Sequence, residues 1–403
     1  MKQLSPFEQQ LVRAVDQSAM LDRTLHWAAI NSGTGNLAGL DAVAGALAEA
    51  FAVLPGELSL VEPAPVVTVD AAGNEHAQQH GRHLVLRVRP EAPRRVLLTG
   101  HMDTVFPVDD PFQSIAWLDD DTINGPGTAD MKGGLSVMLE ALKALETSPA
   151  AASLGYDVMV NSDEETGSLS SAALIAELAQ GKFAALTYEP SALPDGTLAH
   201  ARGGSGNYAV IFRGRSAHAG RNPQDGRNAL VAAADCAVRL KLMSHDDLPI
   251  NPAKIDGGSA NNVVPDLAVL RFNIRPCTAQ AADDFASDFH DLLQLLEKLH
   301  EVSIHSHGGV TRPPKPVDAR AQKLFDLVRD SGAALGQTIG WQPSGGVCDG
   351  NNIAACGIPV VDTMGVRGGS IHSPNEFMIV PSLAERAALS ALVLSRLARG
   401  ADL

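Results

Sequence analysis

Apolar residues along this chain follow two kinds of spacing. Helical spacing predicts helices over residues 5–29, 35–54, 131–147 and 169–180. Short continuous apolar runs predict buried strands at 66–69, 83–88, 96–98, 156–160, 183–188 and 358–363. Strands that alternate with helices predict an α/β fold, in which helices flank a mixed sheet.

The pattern changes after residue 206. Here the order is strand, helix, two strands, helix and strand, and this βαββαβ order predicts a small ferredoxin-like α+β domain. Helical spacing returns at 319–335 and 381–398, after a proline-rich segment that is typical of a domain boundary. Because a chain of 403 residues is too long for one compact core, we expect an interrupted catalytic domain with an inserted domain. The predicted segments are 1–205 and 315–403 for the catalytic domain and 206–314 for the insertion.

Charge and hydropathy exclude two classes of partner. Lys and Arg total 31 against 46 for Asp and Glu, which is the opposite of the balance expected for a nucleic-acid-binding protein. No apolar run reaches the ~18 residues of a membrane span, and the N-terminal segment lacks the apolar stretch of a signal peptide. We therefore expect a cytoplasmic protein without nucleic-acid or membrane partners, a trimmed secreted protein being the alternative. The four cysteines have no metal-binding spacing.

Histidine and acidic residues recur where predicted strands end. Sites in open α/β sheets form beyond the carboxyl ends of the strands, so these side chains are expected to converge. Imidazoles and carboxylates together suit zinc, and a bridging carboxylate allows five ligands to hold two ions. Taken singly, each signal is weak, since a lone histidine is often a loop residue and an aspartate can cap a helix. The residues are His101, Asp103, Asp130, Glu164, Glu165, Glu189 and His372.

Three motifs resemble the signatures of one enzyme family. They are GHMDTV at 100–105, GPGTADMKGG at 125–134 and DEETG at 163–167. Such motifs are typical of the zinc metallopeptidases that include carboxypeptidase G (glutamate carboxypeptidase), acetylornithine deacetylase, succinyl-diaminopimelate desuccinylase and aminoacylase. The resemblance covers nearly the whole chain and implies that the inserted domain serves for dimerisation or as a lid.

The resemblance also implies a set of metal ligands. His101 and Glu189 would bind one Zn²⁺, and Glu165 and His372 would bind a second. Asp130 would bridge the two ions, and a cis peptide bond would follow it. Co²⁺ and Mn²⁺ remain possible substitutes, because these ligand types accept several divalent cations.

Catalytic roles are implied in the same way. Asp103 would orient the His101 ring, and Glu164 would act as the general base. His218 would reach the active site of a partner subunit and stabilise the oxyanion there, which implies a homodimer. A loop histidine at a dimer interface is the alternative for His218.

Substrate contacts are implied for three further residues. Asn262 would contact the substrate, Arg275 would bind its α-carboxylate, and Gly346 would lie in a glycine-rich loop that closes over it. A surface arginine and a plain turn are the alternatives for Arg275 and Gly346. Gly203 and Gly204 stand where carboxypeptidase G has a lysine nearby, which weakens the expectation of glutamate or folate specificity.

The expected activity is hydrolysis of an amide bond next to a free carboxylate. Glu189, where dipeptidases and tripeptidases tend to have aspartate, favours an N-acyl amino acid or a peptide C-terminus as the small-molecule substrate. One alternative is a biosynthetic deacylase of the acetylornithine or succinyl-diaminopimelate type. Another is a binding protein that keeps the fold without catalysis, which the complete set of predicted ligands disfavours.

Overall fold

The computed structural model describes residues 4–403, which divide into two compact units. Unit 1 comprises the described residues up to 64 together with 79–201 and 317–403, and unit 2 comprises 65–78 and 202–316. The predicted insertion, 206–314, lies inside unit 2. Residues 65–78, which the sequence prediction assigns to the first domain, group with unit 2, where Arg271 donates to the carbonyls of Val69 and Asp70.

The helices agree with the predicted segments except at the N-terminus and at residues 349–355, where no helix was predicted. The single helix predicted for 5–29 is wrong, because Asp16 caps a second helix by accepting the main-chain N–H of Ala19. No helix between residues 4 and 403 has the length and apolar composition needed to cross a membrane. The helices are α1 (Pro6–Arg13), α2 (Gln17–Ala28), α3 (Leu37–Phe51), α4 (Gly133–Glu146), α5 (Ala172–Ala179), α6 (Ala229–Met243), α7 (Ala279–His300), α8 (Ala319–Ala334), α9 (Asp349–Ala355) and α10 (Ser382–Ala398).

The strands have between two and ten residues, and those in the middle of the main sheet are buried at nearly every position. They are β1 (Glu57–Val61), β2 (Val66–Val69), β3 (Glu75–Gln78), β4 (His83–Val88), β5 (Arg95–His101), β6 (Ala116–Trp117), β7 (Thr122–Asn124), β8 (Gly155–Asn161), β9 (Ala184–Thr187), β10 (Leu198–Arg202), β11 (Ser205–Arg213), β12 (Ile250–Gly257), β13 (Leu267–Ile274), β14 (Ser303–Arg312), β15 (Trp341–Ser344), β16 (Val360–Val361), β17 (Gly368–Gly369) and β18 (Phe377–Ile379).

The main sheet of unit 1 has six strands in the order β1-β4-β8-β5-β9-β16. β8, β5, β9 and β16 run parallel, whereas β1 and β4 are antiparallel to their neighbours. One face, with Leu98 and Val158, packs in the core that includes α3, α4 and α10, and the other face, with Leu97 and Met159, packs against α5 and α9. The predicted α/β fold, a mixed sheet flanked by helices, is confirmed.

A smaller sheet in unit 1 joins two distant segments of the chain. Its order is β17-β18-β7-β6, and β18 pairs antiparallel with β7 so that Phe377 lies opposite Asn124. The segment 370–376 before β18 therefore lies beside the segment 125–130 after β7. This pairing brings the segment that carries His372 next to the segment that carries Asp130.

Unit 2 contains a four-stranded antiparallel sheet in the order β12-β13-β11-β14. Helices α6 and α7 contribute apolar side chains to a core with the sheet, and Tyr208 and Phe272 stack there beside Phe285 and Phe289. The strand and helix order is the predicted βαββαβ ferredoxin-like arrangement.

Candidate active site

Three parallel strands of unit 1 end at the same edge of the main sheet. In the register of the sheet, His101 at the end of β5 pairs with Asn161 at the end of β8, and Thr99 pairs with Thr187 at the end of β9. The loops that follow carry Glu164 and Glu165 after β8, and Glu189 after β9. Parallel pairing is therefore the reason that residues distant in sequence meet at one edge.

The five predicted metal ligands lie together, and Asp130 lies between two groups of them. Its Oδ1 is 3.1 Å from His101 Nε2, and its Oδ2 is 3.2 Å from His372 Nε2. Glu165 Oε2 is 3.2 Å from the His372 ring, and Glu189 Oε2 is 3.6 Å from the His101 ring. The two groups are thus His101 with Glu189 and His372 with Glu165. The peptide bond that follows Asp130 is cis, as the resemblance implies.

The carboxylates perturb the imidazoles strongly. Burial favours the neutral His101 ring, yet the nearby carboxylates, Glu189 foremost, raise its pKa well above the ordinary value. Hydrogen bonds to Asp130 and Glu165 raise the pKa of His372 to about 11. Burial and the charge of Asp130 raise the pKa of Glu165 to about 7. A site that concentrates negative charge around two imidazoles suits divalent cations, so this donor set fits metal ions.

Glu164 lies at the edge of this cluster. Its carboxylate, one ring nitrogen of His101 and one oxygen of Glu189 lie within 4.8 Å of one another, as do donor atoms of His101, Asp130 and Glu165. Glu164 is only partly buried, in contrast to the ligands on β5 and after β9. A carboxylate at this position can accept a proton from a water molecule that approaches the cluster.

Asp103 contacts more than the histidine that it was predicted to orient. The His101 Nδ1 atom lies 3.0 Å from the Asp103 main-chain oxygen and 3.4 Å from its carboxylate. That carboxylate also accepts the main-chain N–H groups of Glu164 and Glu165, each at 3.2 Å, and the hydroxyl of Thr34 at 2.8 Å. Asp103 is fully buried. Through these hydrogen bonds it holds the loop after β5 and the loop after β8 together.

A buried polar network supports the loop after β8, and the sequence analysis missed it. Asp163 accepts the hydroxyls of Ser170 and Ser171 at 2.8 and 2.6 Å. Asp349, at the start of α9, accepts the hydroxyl of Ser168 at 2.6 Å and the side-chain amide of Asn161 at 2.8 Å. The cluster of serines around the DEETG motif was the available sequence signal, since small hydroxyl residues satisfy buried carboxylates.

Glu376 is the second residue that the sequence analysis missed. Its side chain is fully buried, and its two oxygens accept main-chain N–H groups from Gly127, Ala129 and Asp130 at 2.9–3.1 Å. Burial and the nearby Asp130 charge raise the pKa of Glu376 to about 7, whereas the N–H groups act in the opposite direction. Its spacing of four residues after His372 was the only sequence signal.

His218 and Asn262 lie in neighbouring loops of unit 2. The N–H of Ala219 donates to the carbonyl of Asn262 at 2.9 Å, and both predicted side chains are exposed. His218 Nδ1 accepts the main-chain N–H groups of Gly220 and Arg221 at 3.0 and 3.2 Å. A neutral ring with this acceptor carries its proton on Nε2, which is the form that can donate to an oxyanion.

The other two predicted substrate residues are also exposed. Arg275 follows β13 in unit 2, and its Nε donates to the Asn273 side chain at 2.8 Å. Gly346 follows β15 in unit 1, where its N–H donates to the hydroxyl of Ser344 at 3.2 Å. Neither contact tests a role in substrate binding, so both assignments stay predictions.

The fold and the site together define a metal-binding hydrolase, and sequence comparison identifies its family. The sequence model of peptidase family M20/M25/M40 matches residues 97–396, so the chain belongs to this family. The prediction that the chain is a hydrolytic enzyme related to carboxypeptidase G and the desuccinylases is confirmed.

Individual relatives support the same family. Carboxypeptidase G2 of Pseudomonas sp. (strain RS-16) is 29% identical over 326 residues, which cover 79% of this chain and 78% of that protein. Succinyl-diaminopimelate desuccinylase of Psychrobacter sp. (strain PRwf-1) is 26% identical and covers 76% of this chain and 80% of its own. The solved structure of a Staphylococcus aureus tripeptidase matches with a TM-score of 0.71 at 25% identity, covering 96% of this chain and 99% of that one.

Proposed function

We propose that this protein is a di-zinc hydrolase that cleaves an amide bond next to a free carboxylate. The observation that carries the proposal is the position of Asp130, whose two oxygens contact His101 and His372 separately. One ion would be held by His101 and Glu189, the other by Glu165 and His372, with Asp130 between them. When bound, the two ions polarise the scissile carbonyl and acidify the attacking water.

The remaining chemistry belongs to residues of the chain. Glu164 takes a proton from the attacking water and delivers it to the leaving nitrogen. The main-chain hydrogen bond from Glu164 to Asp103 holds this residue beside the cluster. His218 donates a hydrogen bond from Nε2 to the developing oxyanion, and Arg275 pairs with the free carboxylate of the substrate.

The family and the position of Arg275 support the proposed substrate class. Similarity to carboxypeptidase G2 supports release of a C-terminal amino acid or deacylation of an N-acyl amino acid. The similarity to a succinyl-diaminopimelate desuccinylase supports a second candidate, a biosynthetic deacylase with the same site and a different acyl pocket.

A substrate panel tests the proposal and separates the two candidates. The purified protein would be loaded with Zn²⁺, its metal content measured, and hydrolysis followed with N-acetyl, N-benzoyl, N-succinyl and pteroyl amino acids and with dipeptides. We expect two zinc ions per chain and cleavage only of substrates with a free carboxylate. Selective cleavage of N-acetylornithine or N-succinyl-diaminopimelate would favour the biosynthetic deacylase, and cleavage without metal would refute the mechanism.

We further propose that the protein forms a homodimer through α6 and β12 of unit 2. Val231, Val238 and Leu242 on α6 are 52%, 60% and 80% exposed. At about 100° per residue they lie on one face of the helix. In the described sheet of unit 2, β12 is an edge strand that packs against the same helix. An apolar face beside an open strand edge suits two-fold association of identical chains.

A charge substitution tests this interface. Leu242→Glu is expected to shift the protein from dimer to monomer in sedimentation experiments, because the new carboxylate would be buried at the contact. The matched control is Leu299→Glu on α7 of the same unit, where the leucine is 56% exposed. A Leu242→Glu protein that remains dimeric would exclude this face.

A further inference from the structure

Glu376 connects the two segments of unit 1 that carry His372 and Asp130. It lies four residues after His372 and immediately before β18, whose pairing with β7 places it beside residues 125–130. Its main-chain carbonyl accepts the side-chain amide of Asn124 at 2.7 Å and the N–H of Gly125 at 3.3 Å. Both the backbone and the side chain of Glu376 therefore hold the other segment.

The side-chain contacts are directed at the backbone of the candidate bridging ligand. One carboxylate oxygen accepts the N–H groups of Ala129 and Asp130 at 2.9 and 3.0 Å, and the other accepts the N–H of Gly127 at 3.1 Å. Gly127 has a φ of 71°, and an added Cβ there would lie 2.8 Å from the Thr104 methyl group. A left-handed residue followed by others can turn successive N–H groups towards one anion.

The position of this carboxylate determines the position of the Asp130 backbone. Three main-chain N–H groups converge on the Glu376 carboxyl group, which is not exposed to solvent, and they favour its ionised form. Hydrogen bonds to an ionised acceptor are about twice as strong as neutral ones. The Asp130 side chain extends from this fixed backbone to both histidine rings. His372 lies in the same segment as Glu376. A shift of the segment 125–130 relative to Glu376 would therefore change the distance between the Asp130 carboxylate and the His372 ring.

We propose that Glu376 is a positioning residue that sets the spacing between Asp130 and His372 and thereby the affinity for the second metal ion. The proposal rests on the two-metal site of the proposed function. The hydrogen bonds of the Glu376 side chain in the described part of the chain all go to main-chain N–H groups and not to a predicted ligand atom. Glu376 therefore acts through the Asp130 backbone. Residues that orient metal ligands in this way typically change metal affinity about 10–100-fold when they are replaced.

The test is Glu376→Gln, with Glu140→Gln as the matched control. The Gln variant keeps the volume but places an NH₂ group opposite at least one main-chain N–H, so that one donor loses its acceptor. Glu140, on α4, is equally buried and pairs with Arg23 at 2.6 Å. Zn²⁺ affinity would be measured by competition with a chromophoric chelator, and the ligand geometry by the visible absorption spectrum of the Co²⁺-loaded protein.

We expect Glu376→Gln to weaken binding of one of the two Zn²⁺ ions about 10–100-fold and to change the Co²⁺ spectrum. Glu140→Gln should lower the unfolding temperature of the metal-free protein and leave affinity and spectrum as in the wild type. If Glu376→Gln does not fold, Glu376→Asp keeps the charge on a shorter side chain and should show the same changes to a smaller extent.

The outcomes separate this inference from the proposed function. A wild-type protein that binds two ions, with wild-type affinity and spectrum in both Glu376 variants, would overturn the inference alone. A wild-type protein that binds no divalent metal would overturn the proposed function and the inference with it.

Discussion

The candidate metal site in unit 1 and the candidate substrate residues in unit 2 differ in how firmly the fold holds them. Among the predicted ligands, His101, Asp130 and Glu189 are buried, and two further buried carboxylates, Asp103 and Glu376, fix the loops between them. In unit 2 the predicted side chains are exposed and have few partners in the described contacts. The candidate metal site is thus organised before any ligand binds, whereas the proposed substrate contacts would form only when substrate binds or when the proposed second subunit is present.

The largest expected effect is in unit 1. We expect Glu164→Ala to lower kcat about 100- to 10,000-fold, because the proton transfer to the leaving nitrogen loses its carrier. Zinc content should remain at the wild-type value, since the five ligands are intact. Steady-state kinetics and metal analysis of the same preparation measure both quantities. Wild-type turnover in this variant would remove Glu164 from the mechanism.

The next effect tests whether an exposed residue of unit 2 contributes to chemistry. His218→Ala is expected to lower kcat about 100- to 1,000-fold, the typical loss for one oxyanion donor. His290→Ala, an exposed histidine on α7 of the same unit, is the matched control and should behave as the wild type. Equal activity of the two variants would leave His218 as a loop histidine.

Co-expression of two inactive variants tests the proposed action between subunits. If His218 serves the partner's active site, a hybrid of a Glu164→Ala chain and a His218→Ala chain contains one complete site. A statistical mixture should then recover about one quarter of wild-type activity, because half of the dimers are hybrids with one functional site of two. Activity no higher than that of the separate variants would place His218 in the site of its own chain.

A smaller effect is expected for substrate affinity. Arg275→Ala should raise KM about 10- to 100-fold with little change in kcat, in line with ~1.5–3 kcal/mol for a hydrogen bond to a charged group. Arg275→Lys should recover only part of the loss, because an ammonium group lacks the bidentate fork. A substrate with a carboxamide in place of its carboxylate is the control, and both variants should bind it as the wild type does. An equal loss on both substrates would exclude carboxylate recognition.

The comparison of the two units also explains which features were predictable from sequence. Ligands such as His101 and Glu189 follow buried parallel strands, and an apolar run that ends in a polar loop is visible in sequence. The βαββαβ order of unit 2 was predictable for the same reason, since its elements are long enough to show a period.

Features held together by tertiary contacts were not predictable. The small sheet of β6, β7, β17 and β18 has strands of two or three residues, too short for an apolar period. Without that pairing, nothing in the sequence places Glu376 against Gly127. The sequence prediction placed the segment of β2 and β3 in the catalytic domain because of its position in the chain. Contacts such as those of Arg271 group this hairpin with unit 2. Asp349 lies 186 residues after Asp163 in sequence order, and only the fold brings both to the β8 loop.

The smallest expected effect concerns a buried histidine behind that loop. His83 is fully buried, its Nδ1 accepts the N–H of Ser162 at 3.3 Å, and its Nε2 lies 3.4 Å from the hydroxyl of Ser170. Burial lowers the pKa of His83, and the charges of Asp163 and Asp349 oppose this only in part, while His80 adds to the lowering. The folded state therefore binds the proton more weakly than the unfolded chain.

The sign of this linkage gives the last prediction. Because the unfolded chain takes up the proton near the ordinary histidine pKa of ~6.5, the free energy of unfolding should decrease as the pH falls through that value. His83→Asn, which keeps an acceptor for the Ser162 N–H, should show a smaller decrease between pH 7.5 and 5.5 in denaturant titrations. His218→Gln, which replaces an exposed ring, is the matched control. Release of metal at low pH affects all three proteins alike, so the difference between their curves isolates the buried ring. Parallel curves for wild type and His83→Asn would show that this histidine titrates equally in the folded and unfolded states. In that case, burial of His83 behind the Glu164 loop would not make the stability of unit 1 depend on pH.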